Sequence, residues 1–490
     1  MNHVIRQQQL HVQVNGTESD GLALQRRLPD VCARVVQPVL ERMLDQYAPS
    51  EGHVYVDRLE IDAGTLMLEK LESDLPAAIA RAIERALREQ LPLVGAPPVS
   101  VSGNVRYKTS SHSIHEAFLS FLTTGSLPWW FRLPAGKSLE DAILGSWSDE
   151  AESGTAHRST LEGVRRVLDS PPVRERLIRQ FSRLFLETIL RRLSLETAAI
   201  LVTILETLRN SGIPQENLRE FEKRLWERVL ATIPAGLAPS PRSLIGEAWA
   251  SYSGEGDQQA GLGHALEQHW PGVTNKAPTG GALAHHPTFP YVPKPQHPMI
   301  DRVEGVNKMA SINPTPLDRV EQPEAREGLY IDNAGLVLLH PFLSRLFSSL
   351  GISADDTLAL PERALCLLHY LATGQTVAPE YALVLPKILC HLPLEWPAES
   401  DVGLSVAERD EAHVLLESAI RHWEALRNTS PDGLRGTFLM RPGKVVMRED
   451  GDWVLQVEAN TADILLDQLP WGISMIKLPW MSTMLWVEWR

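Results

Sequence analysis

Cysteine and histidine side chains lie close together at two places in the C-terminal part of the chain. Cys366 and His369 are three residues apart, so a helix would place both on one face, and Cys390 is followed directly by His391. Thiolate and imidazole groups are the ligands that zinc prefers in proteins, so these four residues could hold a metal ion. Their neighbours are mostly leucine and isoleucine, however. We therefore expect core thiols and partly buried histidines here, and we predict no metal site.

Enzyme motifs that can be recognised from residue spacing are absent from the sequence. Gly443-Lys444 lacks the upstream glycine and the following Ser or Thr of a Walker-type phosphate loop. A nucleophile elbow and a His-Glu-x-x-His motif are also missing. The neighbouring carboxylates Asp355 and Asp356 fall where a loop precedes a helix, and we expect them to be solvated. We predict no catalytic residue, no cofactor and no small-molecule substrate.

Large aromatic side chains are concentrated at the C-terminal end of the sequence. A chain end that contacts nothing is normally frayed and polar, whereas buried aromatic rings contribute strongly to cores and interfaces. We therefore expect this tail to be packed, either in its own domain or against a partner, and both alternatives remain open. The candidate partner-binding residues are Trp471, Trp480, Trp486 and Trp489.

The pattern of residues 1–95 predicts a small β-α-β-α module. Apolar and polar residues alternate over Leu10–Val14, which is typical of a half-buried strand. A helix is predicted from Leu28 onward, with apolar residues at i, i+4 spacing that include Cys32, which we interpret as a core thiol. Val54–Ile61 predicts the second strand, and a helix start at Ser73 predicts the second helix.

A purely helical pattern over residues 110–234 predicts a helical domain. Its strongest helix is predicted over Pro171–Leu193, with one apolar face and arginines on the rest of the surface. The apolar face consists of Leu177, Phe181, Leu184 and Phe185, and the arginines are Arg174, Arg176, Arg179 and Arg183. An arginine face of this kind is typically either solvated or engaged in ion pairs within the chain.

Residues 235–326 predict a Pro/Gly-rich flexible linker. Prolines recur along this stretch among Gly, Ser, Asn and His, and little of it could form a core, so we expect disorder. His285-His286 lies within it, but two adjacent histidines lack the further ligands that a metal site requires. We expect both histidines to be solvated.

Residues 327–490 predict a C-terminal α+β domain that ends in the Trp-rich tail. Helices are predicted from His340, from Pro361 and from a capping box at Ser405. Short strand-prone runs separated by Pro-Gly and Asp-Gly turns then predict a β-meander, and they cover Phe438–Arg441, Val445–Arg448 and Trp453–Glu458. The fold class predicted for the whole chain is α+β, predominantly α-helical.

Composition limits the classes of partner. The chain has 490 residues, which favours two or three domains over one core. It carries 47 basic and 61 acidic residues and a net charge of −14, which disfavours nucleic acid and anionic membranes as main partners. Three widely spaced cysteines suit a reducing compartment. Because neither a signal peptide nor a membrane-spanning apolar run is found, we expect a cytosolic protein.

Four segments together resemble the tape-measure protein family of bacterial extracellular contractile injection systems, which are phage-tail-like particles. The segments are His3–Leu10, Val56–Gly64, Gly328–Leu343 and Leu469–Trp489. The resemblance covers both ends of the chain and becomes weaker in the middle. It implies a non-enzymatic structural or assembly protein of the bacterial cytoplasm, whose retention in the finished particle is left open. Such a protein would associate with inner-tube and baseplate/spike subunits, help to build the inner tube and limit its length.

Two other interpretations remain open at this stage. A ruler that works by length needs a long continuous helix or an extended segment, whereas the ends of this chain are predicted to be globular. A baseplate-associated assembly chaperone or adaptor of the same particle would fit globular ends as well. A cargo-related enzyme or toxin is the third hypothesis, and it rests only on the size of the chain.

Overall fold

A computed structural model of the protein describes residues 3, 5, 8–48, 53–90, 105–134, 136–149, 154–236, 239–252, 256–274, 328–426 and 428–489. These residues are mostly helical and include a small C-terminal sheet, which confirms the predicted fold class. The chain divides into two compact units, Met1–Val167 and Leu168–Arg490. This division falls within the segment 110–234 that the sequence pattern treats as one helical domain.

The first unit begins with a helical layer. α1 (Glu18–Val31) continues through a π-helical turn (Cys32–Val36) into α2 (Gln37–Tyr47), and α3 (Leu71–Gln90) packs against them. Cys32 lies in the π-helical turn and is half-buried. The strands β1 (His53–Val56) and β2 (Val105–Lys108) form an antiparallel pair.

Three further helices complete the first unit. They are α4 (Ser110–Thr124), α5 (Leu139–Asp149) and α6 (Gly154–Val167). His115 of α4 links the other two helices, because its Nε2 lies 3.0 Å from Ser146 Oγ and its Nδ1 lies 2.9 Å from Thr160 Oγ1. Gly125 ends α4 with a left-handed φ of 78°, which glycine adopts without steric cost.

The structure of the first unit differs from the predicted β-α-β-α order. Residues 10–14 are not a strand, and the side chains of Leu10, Val12 and Val14 are exposed. The partner of β1 instead follows α3, beyond the predicted end of the module at residue 95. Alternation predicts a strand only if another strand is available for pairing, and the local sequence does not contain that information.

The second unit has two parts, and the first is here called the helical lobe (residues 168–274). Its central helix is α10, whose Phe221, Leu225 and Val229 are completely buried. The helices of this lobe are α7 (Pro171–Gln180), α8 (Arg183–Leu193), α9 (Leu195–Asn210), α10 (Gln215–Thr232), α11 (Pro241–Ala250) and α12 (Gly256–His269).

Three predictions for this region were wrong. The helix predicted over Pro171–Leu193 is two helices, because Phe181 is extended after the end of α7 and Ser182 caps α8 by accepting from the amide of Phe185 at 3.2 Å. Leu184, assigned to the core face, is 69% exposed. The predicted linker also begins too early, since residues 241–250 form α11 and residues 256–269 form α12. Residues 275–326 of that linker, including His285-His286, lie outside the described residues.

The second part of this unit is here called the C-terminal lobe (residues 328–489). Its helices are α13 (His340–Ser349), α14 (Pro361–Thr373), α15 (Val384–Leu389), α16 (Val406–His422) and α17 (Pro431–Leu434). Its strands are β3 (Leu329–Ile331), β4 (Ser353–Ala354), β5 (Thr357–Leu358), β6 (Gly443–Met447), β7 (Trp453–Val457), β8 (Met475–Ile476) and β9 (Leu485–Trp489). One apolar cluster, formed entirely by residues between 329 and 489, fills this lobe.

The main sheet of the C-terminal lobe has the strand order β3-β6-β7-β9-β8. The predicted hairpin between β6 and β7 is confirmed. One of the three strands predicted for the β-meander was wrong. Residues 438–441 are not a strand, because Arg435–Leu439 form a π-helical turn, and β9 runs parallel to β7. Two parallel strands must be joined by a crossover connection. The chain therefore crosses the sheet between Val457 and Leu485 before β9 pairs with β7.

Candidate partner-binding site

The C-terminal tail begins at a capped helical turn that is tied to the start of the sheet. The side chain of Asn460 accepts from the amide of Ala462 at 3.0 Å and opens the 3₁₀-helix Thr461–Gln468. Asp463 Oδ1 accepts from Arg441 Nη1 at 2.7 Å, and both side chains are buried. Burial alone would raise the pKa of Asp463, but hydrogen bonds from Arg441 and from the Asn460 amide hold this pKa below its usual value.

Trp471 and Trp480 attach the tail to two other segments of the C-terminal lobe. The indole Nε1 of Trp471 donates to the carbonyl oxygen of Leu338 at 3.0 Å, and its ring lies edge-on to Phe342 with the centroids 5.3 Å apart. The indole Nε1 of Trp480 donates to the carbonyl oxygen of Leu389 at 2.8 Å, and its ring stacks on Phe347. Both rings are half-buried.

Trp486 and Trp489 lie on β9. Trp486 is half-buried and donates from Nε1 to Asp452 Oδ2 at 3.1 Å. The other oxygen of Asp452 accepts from the amide of Met484 at 2.8 Å, and the two bonds, with the Met484 bond the stronger influence, lower the pKa of Asp452. Trp489 is buried, and the guanidinium carbon of Arg441 lies 5.6 Å from its ring centroid.

These contacts fit the alternative in which the tail packs in its own domain. Each of the four tryptophans contacts another segment of the C-terminal lobe, so the tail closes that lobe. Trp471, Trp480 and Trp486 are nevertheless only half-buried, so part of each residue remains exposed. Partner binding by the four tryptophans stays a prediction.

The cysteines and histidines of the C-terminal lobe do not form a cluster. Cys366 and Cys390 are buried, as predicted, and burial raises the pKa of both thiols, that of Cys366 to about 12. His369 is buried, which lowers its pKa to about 4. His391 points elsewhere, with Nε2 2.7 Å from Ser482 Oγ. Among the described residues, no group of three or more His, Cys, Asp or Glu could hold a metal ion.

Asp355 and Asp356 occupy the two-residue turn between β4 and β5. Both have left-handed φ values, 48° and 59°, as a type I′ hairpin turn requires. Aspartate tolerates this conformation better than most residues. Both side chains are exposed, so the structure supports the expected solvated carboxylates.

The four arginines singled out in the sequence form ion pairs within the chain, so this alternative is confirmed. Arg174 lies 3.1 Å from Glu227, and Arg183 lies 2.8 Å from Glu187. The pairs of Arg176 and Arg179 reach the C-terminal lobe, and they are Arg176 with Glu380 at 2.9 Å and Arg179 with Glu362.

Two charged residues at the centre of this network were missed by sequence reasoning. Glu380 and Lys387 are buried, with Lys387 Nζ 2.6 Å from Glu380 Oε1. Burial lowers the pKa of Lys387, and the Glu380 carboxylate opposes this shift. The available signal was their position, since the two charges lie seven residues apart within a mostly apolar stretch, residues 378–390.

A family model described as contractile injection system tape measure protein matches residues 2–489. The match includes both compact units and almost the entire chain. The chain belongs to this family. No curated protein and no solved structure matches it.

Membership confirms the resemblance seen in the four sequence segments. A tape measure protein has a structural role in the assembly of a contractile injection system, and neither a chaperone nor a cargo enzyme is favoured by the match. Within the described part of this tape measure protein, no helix combines the length and apolar character needed to cross a membrane.

Proposed function

We propose that this tape measure protein binds inner-tube subunits and baseplate/spike subunits during assembly in the bacterial cytoplasm, and that it limits the length of the inner tube. The observation that carries the proposal is the family match over residues 2–489. The partly exposed residues Trp471, Trp480 and Trp486, together with Trp489 of the same tail, are the proposed contact with one of these partners.

The geometry favours folded bodies that bind subunits over a single rod-like ruler. The longest continuous helical run in the described residues is Glu18–Tyr47, which consists of α1, the π-helical turn and α2. At about 1.5 Å per residue it spans only about 45 Å. Residues 275–327 separate the two lobes in sequence, and a chain of about 50 residues can reach at most about 180 Å. Length control by this chain is therefore best tested in that segment.

The experiment changes the length of residues 281–322 in the full chain and measures particles by electron microscopy. One variant deletes the segment, one duplicates it, and a control replaces it with a Gly/Ser sequence of equal length. We expect a shorter tube, a longer tube and an unchanged tube, respectively. Unchanged length in all three variants would refute the length-limiting part of the proposal. Normal particles in cells that lack the protein altogether would refute the assembly role.

A further inference from the structure

The helical lobe and the C-terminal lobe are joined by a polar interface at α7. Arg176 Nε donates to Glu380 Oε2 at 2.9 Å, and Arg176 Nη2 donates to the carbonyl oxygen of Glu395 at 2.6 Å. Gln180 makes two bonds to the other lobe, accepting from the Glu380 amide and donating to the carbonyl oxygen of Ala398, both at 2.8 Å. The Ser400 hydroxyl donates to the backbone oxygen of Arg179, also at 2.8 Å.

The outer part of this interface is also charged. Arg179 pairs with Glu362 and lies 3.8 Å from Glu399, which in turn is 2.5 Å from Lys223 of α10. Basic groups on the helical lobe therefore face carboxylates on the C-terminal lobe. We call this set the clasp, and it consists of Arg176, Arg179, Gln180 and Lys223 on one side and Glu362, Glu380 and Glu399 on the other.

The apolar cluster of the C-terminal lobe does not extend into the helical lobe. It contains residues between 329 and 489 only, and the helical lobe has buried apolar residues of its own, such as Phe185 and Phe221. The desolvation cost of burying ion pairs offsets much of their attraction. Separating charged faces therefore costs less than separating apolar faces of equal area, and both faces remain compatible with water.

Two clasp charges also keep a partner on their own side when the lobes are apart. Glu380 retains Lys387, whose Nζ additionally donates to the carbonyl oxygen of Leu394 at 2.7 Å. Arg179 retains Glu175, one turn earlier in α7, at 2.5 Å. Opening therefore leaves neither Glu380 nor Arg179 as an unpaired charge.

We propose that the clasp is a reversible joint at which the helical lobe and the C-terminal lobe part as intact bodies. In the closed state, α7 packs against an acidic face of the C-terminal lobe formed by Glu362, Glu380 and Glu399. In the open state that face becomes a surface for an arginine-bearing helix, and α7 becomes a basic surface. The covalent connection through residues 275–327 keeps the lobes together.

Hydrogen exchange of the full chain, read at single-amide resolution by mass spectrometry, tests this proposal. The amides of Glu380 and Ser400 donate across the clasp, to Gln180 Oε1 and to the backbone oxygen of Arg179. The amides of Ala378 and Leu383 lie on the same segment but donate within the C-terminal lobe, so they are matched controls.

We expect the amides of Glu380 and Ser400 to exchange at least about tenfold faster than the controls and than amides in the middle of α10 and α14. Raising the salt concentration should speed exchange at the clasp only, because the rim pairs are partly exposed and are screened. Equal rates at the clasp and in the two cores would overturn the proposal. Joint exchange of Ala378 and Leu383 with the clasp amides would also overturn it, because the segment would then be unfolding.

A charge variant gives an independent test. Lys223→Glu places a second carboxylate opposite Glu399 and should speed exchange at Glu380 and Ser400 about tenfold further, with core amides unchanged. Arg191→Glu makes the same charge change at an exposed position of the helical lobe. It should change neither the exchange rate of the Glu380 and Ser400 amides nor that of the core amides. If Lys223→Glu leaves exchange at Glu380 and Ser400 unchanged while its core amides keep their protection, the proposal is refuted. If its core amides lose protection, the variant is unfolding and the wild-type comparison decides, where slow, salt-independent exchange at the clasp refutes the proposal.

Discussion

Removal of the Glu380 carboxylate should destabilise the C-terminal lobe far more than removal of Arg176. Glu380 is the acceptor shared by two buried cations, with Arg176 Nε at 2.9 Å and Lys387 Nζ at 2.6 Å, and all three side chains are at most 2% exposed. In Glu380→Gln, Lys387 stays buried in its own lobe without this anion. Stranding one member of a buried ion pair costs about 3–5 kcal/mol, and the remaining bond of Lys387 to a backbone oxygen places our expectation near 3 kcal/mol.

Arg176→Met leaves the pair of Glu380 and Lys387 intact, so the C-terminal lobe should lose less than about 1 kcal/mol. The control Arg191→Met removes an arginine that is 58% exposed and should change the free energy of unfolding by no more than about 0.5 kcal/mol. Because a chain of this length need not unfold in one step, the assay is denaturant-dependent hydrogen exchange of peptides from residues 328–489. Equal losses for Glu380→Gln and Arg176→Met would refute the shared-acceptor argument.

The same variant has a predicted pH dependence. Burial already lowers the pKa of Lys387, and the Glu380 carboxylate is the main group that opposes this shift. In Glu380→Gln the pKa of Lys387 should therefore fall further below its unfolded value. The unfolded chain then binds the proton more tightly than the folded chain, so the stability of the variant should rise as pH increases toward 10. This reasoning would be contradicted if the loss of unfolding free energy caused by Glu380→Gln stayed constant between pH 6 and about 9.5.

Three further outcomes can be measured on the same protein. Gly335→Ala should destabilise the C-terminal lobe by more than about 3 kcal/mol in thermal unfolding, because its Cβ would lie 1.6 Å from a backbone oxygen, whereas Gly436→Ala has no atom within 4 Å and should be nearly neutral. The hydrogen bond from Arg363 lowers the pKa of Glu408 to about 2. The stability contributed by this carboxylate is therefore present above pH 4.5 and is lost as pH falls toward 2. Glu408→Gln should flatten that part of an acid-unfolding curve. Trp471→Phe removes an indole hydrogen bond and should cost about 1–2 kcal/mol in hydrogen exchange of residues 328–489, and no change would show that this bond is not made.

Local signals in the sequence predicted the helices of the C-terminal lobe well. The capping box at Ser405 is present, with the Ser405 hydroxyl and the Glu408 carboxylate each bonded to the other's backbone amide. Gly374 ends α14 with a left-handed φ of 76°. These devices involve residues within one or two turns of each other, so the sequence window contains the whole interaction.

Contacts between distant segments could not be predicted in the same way. The pairing of β7 with β9 depends on residues about 30 positions apart, and the pair of Arg176 and Glu380 spans about 200. The missed helix break at Ser182 has a different cause. Its capping signal lies in the sequence, but the apolar pattern continues past it and favours a single helix. The sequence predicts that the tail tryptophans are packed. It does not predict which residues they contact, because those contacts depend on the crossover between β7 and β9.

The distribution of apolar and charged groups in the second unit connects its fold to a role in assembly. A protein whose two lobes engage different subunits needs each lobe to stay folded when the lobes are apart. The tail meets this need in the C-terminal lobe. Trp471 donates a hydrogen bond to the backbone just before α13, Trp480 donates one to the backbone of α15, and β9 pairs with β7 in the sheet. With the large aromatic rings used inside one lobe, the clasp is left to charged and amide groups. A partner can then replace α7 on the acidic face without exposing an apolar core to water.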